Sequence, residues 1–378
     1  MKIGLVCPYN IAKGGGVQEI VRALRLRLEQ RGHEAWIITP RPRDVGNTDL
    51  TGVKLIGQAT DFRSPLHTTT QLSASVEPEE VDNLLQQEKF DVLHFHEPWV
   101  PHLSRQILSR SDSVNIATFH AKVPETLMSR TVAKVVTPYT RSVLKYLHEL
   151  TAVSDAAAEY IGGLTDQPVT IIPNGIDLSV YTHRAVAKPN NVGRKTIFYI
   201  GRLERRKGVK YLLRAYQMLS QDHDDISLVL AGDGPERAKL EAMASEMQLA
   251  DVTFLGHVSE EVKLQLLASS DVFCSAAIFG ESFGIVLLEA MASGLVTVAG
   301  DNSGYTSVMR DLGALSLVNP HDTTEFARRL ELLLYQPDVR KLWKNWALKY
   351  VKQFDYERVV DQYEELYKEA LKSHKAEA

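Results

Sequence analysis

The chain has 378 residues, of which 44% are hydrophobic and 24% are charged, and its formal net charge is −4. This length exceeds what one ordinary core holds, so it predicts two domains, and the near-neutral charge excludes a global attraction to nucleic acid or to anionic membranes. Both cysteines, Cys7 and Cys274, fall in apolar runs, which favours burial over a disulfide or a metal site. No apolar run has the length of a membrane span, and the N-terminus leads into a strand rather than a signal peptide, so we expect a cytosolic protein.

The first half of the chain alternates strand and helix patterns. A short apolar strand covers residues 2–7, glycines make a turn at 14–16, helical spacing runs over 17–30, and a second strand follows at 35–38. This order predicts a βαβ unit with a right-handed crossover and a parallel sheet. Further strands are predicted at residues 92–95, 115–119 and 149–153.

A second α/β unit begins near residue 195. Its predicted strands cover residues 195–201, 226–231, 252–255, 271–274 and 296–299. The polar stretch 182–194 is typical of a linker, and residues 356–372 have the pattern of a charged amphipathic helix. We therefore predict two doubly wound α/β domains that face a central cleft, with ligands at the carboxyl ends of the strands. The expected ranges are 1–180 for the first domain, 181–355 for the second, and 356–378 for a C-terminal helix that packs back on the first.

Two carboxylates, Glu281 and Glu289, lie eight residues apart in the most informative stretch of the chain. A strand pattern precedes them, a Phe283-Gly284 turn separates them, and an apolar helical run carries the second one. Free N–H groups at the start of such a helix suit a diphosphate, and the acids can accept hydrogen bonds from sugar and ribose hydroxyls. As ordinary helix-start acids they would contribute about 0.3–1 kcal/mol, but that alternative does not explain the turn. The pattern therefore predicts a nucleotide-sugar site.

Eight segments together carry a resemblance to a known family. They are residues 6–9 (Val-Cys-Pro-Tyr), 15–18 (Gly-Gly-Val-Gln), 94–98 (His-Phe-His-Glu-Pro), 117–120 (Ala-Thr-Phe-His), 152–155 (Ala-Val-Ser-Asp), 172–177 (Ile-Pro-Asn-Gly-Ile-Asp), 201–208 (Gly-Arg-Leu-Glu-Arg-Arg-Lys-Gly) and 281–294. In this order and spacing the chain resembles the retaining glycosyltransferases of family 4, and in particular the bacterial phosphatidylinositol mannosyltransferases. The resemblance spans nearly the whole chain. It implies the GT-B fold of two Rossmann-like domains and a nucleoside-diphosphate sugar as donor, with no cofactor required.

The resemblance also implies which residues bind the donor. Glu281 would bind hydroxyls of the donor sugar, Glu289 the ribose, and the N–H groups of Gly15 and Gly16 the diphosphate. The backbone of three consecutive residues would touch the sugar and the phosphate: Phe283, Gly284 and Ile285. A tight turn is the alternative for the glycines, which match neither the G-x-G-x-x-G pattern nor a P-loop.

Two cations, Arg202 and Lys207, follow a predicted core strand. Cations at this place can neutralise a leaving diphosphate without a metal, and no metal site is predicted. A solvated basic run is the alternative, because Arg205, Arg206 and Lys210 stand beside them. The position directly after the strand favours function for Arg202 and Lys207 over these neighbours.

His120 ends an apolar strand, at the place where a ligand-facing residue is expected. A single histidine is more often structural, but the Ala-Thr-Phe-His match implies that this one touches the donor sugar near the reaction centre and orients the acceptor. His94 and His96 lie two residues apart on a strand and share a face. A metal pair is one alternative for them, but no third ligand stands at suitable spacing, so core and hydrogen-bonding roles are favoured.

The segment 126–148 contains no acid, and its basic residues fall within an arc of roughly 60° on one helix face. These residues are Arg130, Lys134, Arg141 and Lys145. The stripe predicts a membrane-surface helix that touches anionic lipid, and a core helix with a solvated basic face fits it equally. Pro138 allows two helices in place of one.

The acceptor side departs from the lipid mannosyltransferases in one segment. Residues 76–82 are acidic (Val-Glu-Pro-Glu-Glu-Val-Asp), where those enzymes have a strongly basic helix. This difference argues against phosphatidylinositol and against tight binding to anionic bilayers. By position, the residues expected to contact an acceptor headgroup are Tyr9, Gln18 and Arg63.

Together these features predict a retaining transferase that moves a hexose to a lipid headgroup such as phosphatidylinositol at the inner membrane face. Mannose is the favoured hexose and GDP-mannose the favoured donor. Front-face substitution is favoured because no acid pair is evident for double displacement, which needs carboxyls ~5–5.5 Å apart in retaining hydrolases. One alternative is UDP-sugar-dependent glucosyl or galactosyl transfer to another glycolipid, a soluble acceptor or a polysaccharide. A second is a non-catalytic nucleotide-sugar-binding subunit, and no nucleic-acid partner is expected.

Overall fold

A computed structural model describes residues 1–42, 49–63, 69–121, 127–182 and 193–377. The chain forms two compact units, one of Met1–Gly175 with Tyr356–Ala378 and one of Ile176–Asp355. The expected boundary at residue 180 is five residues late, because Ile176 already donates its N–H to Phe354 of the second unit. Most of the predicted linker, 183–192, lies outside the described residues.

The first unit is built on an eight-stranded sheet in the order β4-β3-β2-β1-β5-β6-β7-β8. Its strands are β1 (Lys2–Val6), β2 (Glu34–Arg41), β3 (Val53–Arg63), β4 (Thr69–Ser75), β5 (Val92–His96), β6 (Val114–Phe119), β7 (Glu149–Ala152) and β8 (Val169–Ile171). All neighbours are parallel except β3 and β4, which pair antiparallel at one edge. Because β1 pairs with both β2 and β5, the strand order reverses there, and a ligand site is expected at the carboxyl ends of β1 and β5.

Five helices connect these strands: α1 (Gly16–Gln30), α2 (Pro78–Glu88), α3 (Leu103–Leu108), α4 (Leu127–Leu144) and α5 (Asp155–Gly162). Helix α1 is the helix predicted after the glycine turn. Its apolar residues Ile20, Val21, Leu24 and Leu28 recur at helical spacing and are buried. Val21, Leu24 and Leu28 pack in one core with Ile3 and Leu5 of β1.

The second unit is built on a six-stranded parallel sheet in the order β11-β10-β9-β12-β13-β14. Its strands are β9 (Lys195–Ile200), β10 (Ile226–Ala231), β11 (Val252–Gly256), β12 (Val272–Ser275), β13 (Val296–Gly300) and β14 (Leu317–Val318). The strand order reverses between β9 and β12, so the second expected site lies at their carboxyl ends.

The helices of the second unit are α6 (Ser179–Thr182), α7 (Val209–Asp222), α8 (Arg237–Glu246), α9 (Glu260–Ser269), α10 (Ile285–Ala292), α11 (Ser303–Val308), α12 (Thr323–Tyr335) and α13 (Pro337–Tyr350). Short 3₁₀ turns cover Arg205–Lys207, Asp311–Ser316 and Val351–Phe354. The two cysteines, one in each unit, are free and buried. No helix in the described part of the chain is long and apolar enough to cross a membrane.

The last helix, α14 (Tyr356–Glu377), packs on the first unit. Its apolar face joins the core of β1 and α1 through Val359, Val360, Tyr363, Tyr367 and Ala370. The ring of Tyr356 lies against Gly175, where a Cβ would stand 2.5 Å from it. This close approach requires glycine at the last residue before the chain enters the second unit.

Candidate active site

In the first unit, the carboxyl ends of β5 and β6 bring His96, Glu97 and His120 together. All three are buried, and we refer to them as the His120 cluster. The backbone N–H of His120 donates to Oε1 of Glu97 at 2.6 Å. The ring atoms His96 Nδ1 and His120 Nε2 are 2.9 Å apart, and the two rings stack with centroids 5.2 Å apart. Two consecutive residues at the end of β5 therefore hold both the main chain and the ring of His120.

The His120 ring is neutral at physiological pH. Burial lowers the pKa of His120 to about 3, against an opposing effect of the Asn174 side chain. Burial likewise lowers the pKa of His96 well below its usual range. A neutral imidazole carries one N–H donor and one lone-pair acceptor, so the pair shares a single hydrogen bond between two uncharged rings.

Glu97 was not singled out from the sequence. Glu97 is 1% exposed, and its carboxyl group accepts hydrogen bonds from the His120 N–H and from Nε1 of Trp99. Burial raises the pKa of Glu97 to about 7, although these hydrogen bonds act in the other direction. Its backbone adopts a left-handed conformation (φ 53°), which a non-glycine residue keeps only under constraint. A signal was available: an acid directly after a fully buried strand.

His94 has the core hydrogen-bonding role that was favoured for it. Its Nδ1 lies 2.7 Å from the Tyr367 hydroxyl and its Nε2 lies 2.6 Å from Thr118 Oγ1. Burial lowers the pKa of His94 to about 3. His94 thus ties α14 to the central strands, and both of its ring nitrogens are used.

The glycine turn precedes α1 as predicted, with Gly15 at the N-cap and Gly16 as the first helical residue. No side chain caps this end, so N–H groups of the first turn remain available to a ligand. A Cβ at Gly16 would meet no heavy atom of the described residues within 4 Å. Packing within the chain therefore does not explain the glycine, whereas the close approach of a ligand would.

Two of the three residues expected to contact an acceptor lie near this turn. Gln18 is buried on α1, and its Nε2 donates to the Asn10 carbonyl at 3.5 Å. Tyr9 follows β1, and burial, reinforced by the charge of Glu97, raises the pKa of its hydroxyl well above the usual range. Arg63 ends β3, but its side chain lies outside the described residues.

In the second unit, an acid–cation cluster lies at the carboxyl ends of β9 and β12. Oε1 of Glu281 accepts from Arg206 Nη1 at 2.6 Å and pairs with Lys207 Nζ at 2.8 Å. Arg206 also donates through Nε to Oε2 of Glu204 at 2.9 Å, and Arg202 Nε lies 2.8 Å from the other oxygen of Glu204. We refer to these five residues as the Glu281 cluster.

The functional preference for Arg202 over Arg206 stays a prediction, but the structure places the two side chains differently. The Arg202 side chain is 49% exposed, whereas that of Arg206 is 19% exposed and bridges two carboxylates. The 3₁₀ turn Arg205–Lys207 directs Arg206 toward Glu281 and leaves Arg205 exposed. Gly208 closes the turn with φ 68°, and a Cβ there would collide with the Ala276 carbonyl oxygen. Burial alone would lower the pKa of Arg206, but Glu281 and Glu204 raise it.

Helix α10 starts directly after this cluster, as the strand–loop–helix pattern predicted. Gly284 is its N-cap in the left-handed region (φ 108°), and no side chain caps the helix. A Cβ on Gly284 would stand 2.8 Å from the Tyr305 ring. The Phe283 side chain is buried against Phe354, with ring centroids 5.9 Å apart, so only its backbone is available to a ligand. The N–H of Ile285 opens the helix at an end that suits an anion.

Glu289 lies one turn inside α10 and has two partners that the sequence did not indicate. Its Oε1 accepts from Lys263 Nζ at 2.8 Å and from the Tyr181 hydroxyl at 3.0 Å. Lys263 belongs to α9 and Tyr181 to α6. These residues come from distant parts of the sequence, so no local pattern could have found them.

The basic stripe lies on α4, which runs as one helix from Leu127 to Leu144 with Pro138 inside it. The alternative of two helices is therefore wrong for the described residues. Lys134, Arg141 and Lys145 are exposed, and Lys145 follows the last helical residue. The Arg130 side chain lies outside the described residues. A membrane-contacting face and a solvated basic face both fit this placement.

Two doubly wound α/β units, each with polar side chains gathered at the switch point of its sheet, have the architecture of the GT-B class of glycosyltransferases. Two family models match: Glycosyltransferase Family 4 over residues 14–180, and Glycosyl transferases group 1 over residues 183–350. A phosphatidyl-myo-inositol mannosyltransferase of Mycobacterium leprae (strain TN) is 32% identical over 372 residues, covering 97% of this chain and 96% of that protein. The chain belongs to glycosyltransferase family 4.

Solved structures show the same fold. Sucrose-phosphate synthase from Thermosynechococcus elongatus has a TM-score of 0.79 at 18% identity, covering 98% of this chain and 99% of that chain. Anabaena HepE, solved in complex with UDP-glucose, has a TM-score of 0.73 at 19% identity, covering 99% and 100%. The predicted GT-B fold and glycosyltransferase class are confirmed, and the non-catalytic alternative is set aside.

Proposed function

We propose that this enzyme transfers a hexose, with mannose favoured, from a nucleoside-diphosphate sugar to a lipid headgroup such as phosphatidylinositol, with retention of configuration. The observation that carries the donor half is the Glu281 cluster, with its cations at the start of α10. The acceptor half rests on similarity to a protein named for phosphatidyl-myo-inositol.

Charge and hydrogen-bonding capacity decide which part of the donor each of these residues binds. Both cations on Glu281 contact Oε1, so Oε2 has no partner among the described residues and can accept from sugar hydroxyls. The backbone of Phe283, Gly284 and Ile285 contacts the sugar and the phosphate, and Glu289 accepts from the ribose. The diphosphate takes the N–H groups of Gly15 and Gly16 and the positive charge of Arg202 and Lys207.

The proposed reaction needs no metal or other cofactor. Arg202, Lys207 and the α10 N-terminus stabilise the negative charge that develops on the leaving diphosphate. Glu281 is held by two cations, which makes it a poor nucleophile, so we propose front-face substitution in which the leaving phosphate takes the acceptor proton. His120 contacts the donor sugar and orients the acceptor.

The acceptor proposal uses residues of the first unit. Tyr9, Gln18 and Arg63 contact the headgroup, and Arg130, Lys134, Arg141 and Lys145 attract the enzyme to the inner face of the membrane as a peripheral protein. Each basic residue near an anionic surface adds about 1 kcal/mol of attraction.

A UDP-sugar-dependent glucosyl- or galactosyltransferase that acts on another glycolipid, a soluble acceptor or a polysaccharide is a second candidate. The observation that favours it is the acidic start of α2, where Glu77 and Glu79 are exposed. Such a surface repels an anionic bilayer. GDP-mannose with phosphatidylinositol remains the first choice because the similarity to the mannosyltransferase spans nearly the whole length of both proteins.

Donor and acceptor are tested in sequence. Thermal unfolding is followed with GDP-mannose, UDP-glucose, UDP-galactose, UDP-N-acetylglucosamine and ADP-glucose, since a ligand at 100 times its Kd adds ~2.7 kcal/mol. Transfer from the selected donor is then measured with vesicles that contain or lack phosphatidylinositol, with EDTA in a parallel arm. We expect GDP-mannose to stabilise the protein and phosphatidylinositol vesicles to accept the sugar despite EDTA. Selective stabilisation by a UDP-sugar, or transfer that is independent of vesicles, would instead support the second candidate.

A further inference from the structure

In the His120 cluster, only one nitrogen of each histidine ring has a hydrogen-bond partner among the described residues, and the donor and acceptor roles do not explain this difference. Two ring nitrogens, His96 Nε2 and His120 Nδ1, are buried without a hydrogen-bond partner among the described residues. The other two, His96 Nδ1 and His120 Nε2, face each other at 2.9 Å. One proton must lie between them, and its position decides which nitrogen of His120 carries the remaining N–H.

The hydrogen bonds around His94 have a fixed direction, because their chain ends on a backbone carbonyl. Thr151 Oγ1 donates to the Ala117 carbonyl, which can only accept, so Thr151 accepts from Thr118 at 2.6 Å. Thr118 has then used its hydrogen, so its oxygen accepts from His94 Nε2. His94 Nδ1 consequently accepts from the Tyr367 hydroxyl. Both nitrogens of His94 are committed, so His94 offers no hydrogen bond to His96, whose ring centroid lies 4.3 Å away.

Asn174 supplies the corresponding constraint on His120. Its Oδ1 is also buried without a partner among the described residues, and its side chain lies close enough to oppose the effect of burial on the His120 ring. The Asn174 side chain raises the pKa of the His120 ring, as a neighbouring hydrogen-bond acceptor does, and an amide oxygen only accepts. Nε2 is committed to His96, which leaves Nδ1 as the nitrogen that can carry a hydrogen toward an acceptor.

We propose that His96 is a positioning residue: its Nδ1–H donates to Nε2 of His120 and holds His120 in the Nδ1–H tautomer. Glu97 fixes the main chain of His120 through the N–H at 2.6 Å, and His96 fixes the ring. The catalytic consequence rests on the proposed function. With Nε2 occupied, His120 meets the sugar through Nδ1–H as a hydrogen-bond donor, and it does not act as a general base.

The direct test measures the tautomer without substrate, in the full chain. Nitrogen-15 NMR distinguishes a protonated ring nitrogen from a bare one, and His120→Gln assigns the signals. We expect Nδ1 of His120 to be protonated in the wild type and in His96→Asn, whose amide N–H can replace His96 Nδ1–H. We expect a mixture of tautomers in His96→Leu. A wild-type His120 protonated at Nε2, or an unchanged tautomer in His96→Leu, would overturn the proposal.

Kinetics provide the second arm. We expect His96→Leu to lower kcat by roughly 10- to 100-fold with little change in the KM of the donor, because one sugar contact is misplaced while the contacts proposed for the diphosphate and the nucleoside remain. His96→Asn should recover most of that loss. Equal damage by both variants would indicate a purely structural role and would also overturn the proposal. If no donor supports turnover in the wild type, the proposed function fails, while the tautomer measurement still decides the role of His96.

Discussion

Arg206 Nη1 lies 2.6 Å from Glu281 Oε1, and the same guanidinium reaches Glu204 through Nε at 2.9 Å. A planar guanidinium with several fixed donors can bridge two carboxylates, which a lysine ammonium on a flexible stem does less well. Arg206 therefore sets the position of the acid proposed to bind the donor sugar, although it stands outside the pair of cations that position in the sequence favoured.

Removing this bridge should weaken donor binding. Arg206→Ala leaves Glu204 and Glu281 without a shared partner, and a hydrogen bond to a charged group contributes about 1.5–3 kcal/mol. We expect the Kd of the nucleotide-sugar, measured by titration calorimetry, to rise by about 10- to 100-fold. Arg205→Ala is the matched control, because this neighbour in the same turn is exposed. Equal effects of the two variants would mean that general positive charge, rather than the bridge, matters.

Gly16→Ala separates ligand binding from folding. No described heavy atom lies within 4 Å of the added Cβ, and alanine favours a helix over glycine by about 0.5–1 kcal/mol, so Tm should stay or rise slightly. The methyl group occupies the approach of the diphosphate to the α1 N-terminus, so the donor Kd should rise about 10-fold or more. Gly162→Ala, another helical position with open space, should leave the donor Kd unchanged. Normal donor binding by Gly16→Ala would remove Gly16 from the site.

Glu97 makes folding stability depend on pH. Its pKa is raised from 4.5 to about 7 in the folded protein, so the folded state keeps a proton that the unfolded state releases. The contribution of Glu97 to the free energy of unfolding is fully present below pH 4.5. It falls by up to about 3 kcal/mol as the pH rises to about 7. Urea unfolding of wild type and Glu97→Gln at pH 5, 6, 7 and 8 should show a difference in unfolding free energy that changes across this window. Exposed Glu79→Gln should show none, and a constant difference for Glu97→Gln would contradict the assignment.

The attachment of α14 gives a paired stability test. Tyr367 is the only described donor to His94 Nδ1, at 2.7 Å, so Tyr367→Phe leaves a buried nitrogen unsatisfied and should cost about 1–3 kcal/mol. Tyr363 lies 3.2 Å from Thr118 Oγ1, which His94 Nε2 also contacts, so Tyr363→Phe should cost less. Urea unfolding compares the two variants, which lose the same atom from buried sites. A larger loss for Tyr363→Phe would contradict the attachment of α14 through the Tyr367–His94 hydrogen bond.

The strand–helix order of both units could be predicted because their apolar periodicity is local. Strands β3 and β4 escaped prediction, since their pairing depends on a sheet edge and not on a continuous apolar run. The first boundary was placed late for a similar reason. Ile176 belongs to the second unit through its bond to Phe354, a residue far along the chain.

The sequence alone determined the parts of the site that a single segment encodes: the Gly15-Gly16 start of α1, His120 at the end of β6, and Glu281 and Glu289 around the start of α10. Those features depend on backbone geometry within a few residues. Only the tertiary structure decided their partners. His96 and Glu97 meet His120 because β5 and β6 are adjacent, and Lys263 and Tyr181 meet Glu289 because their helices converge. Side-chain pairs across neighbouring elements leave no periodic signal, because the packing of the sheet and its helices, and not sequence spacing, brings them within hydrogen-bonding distance.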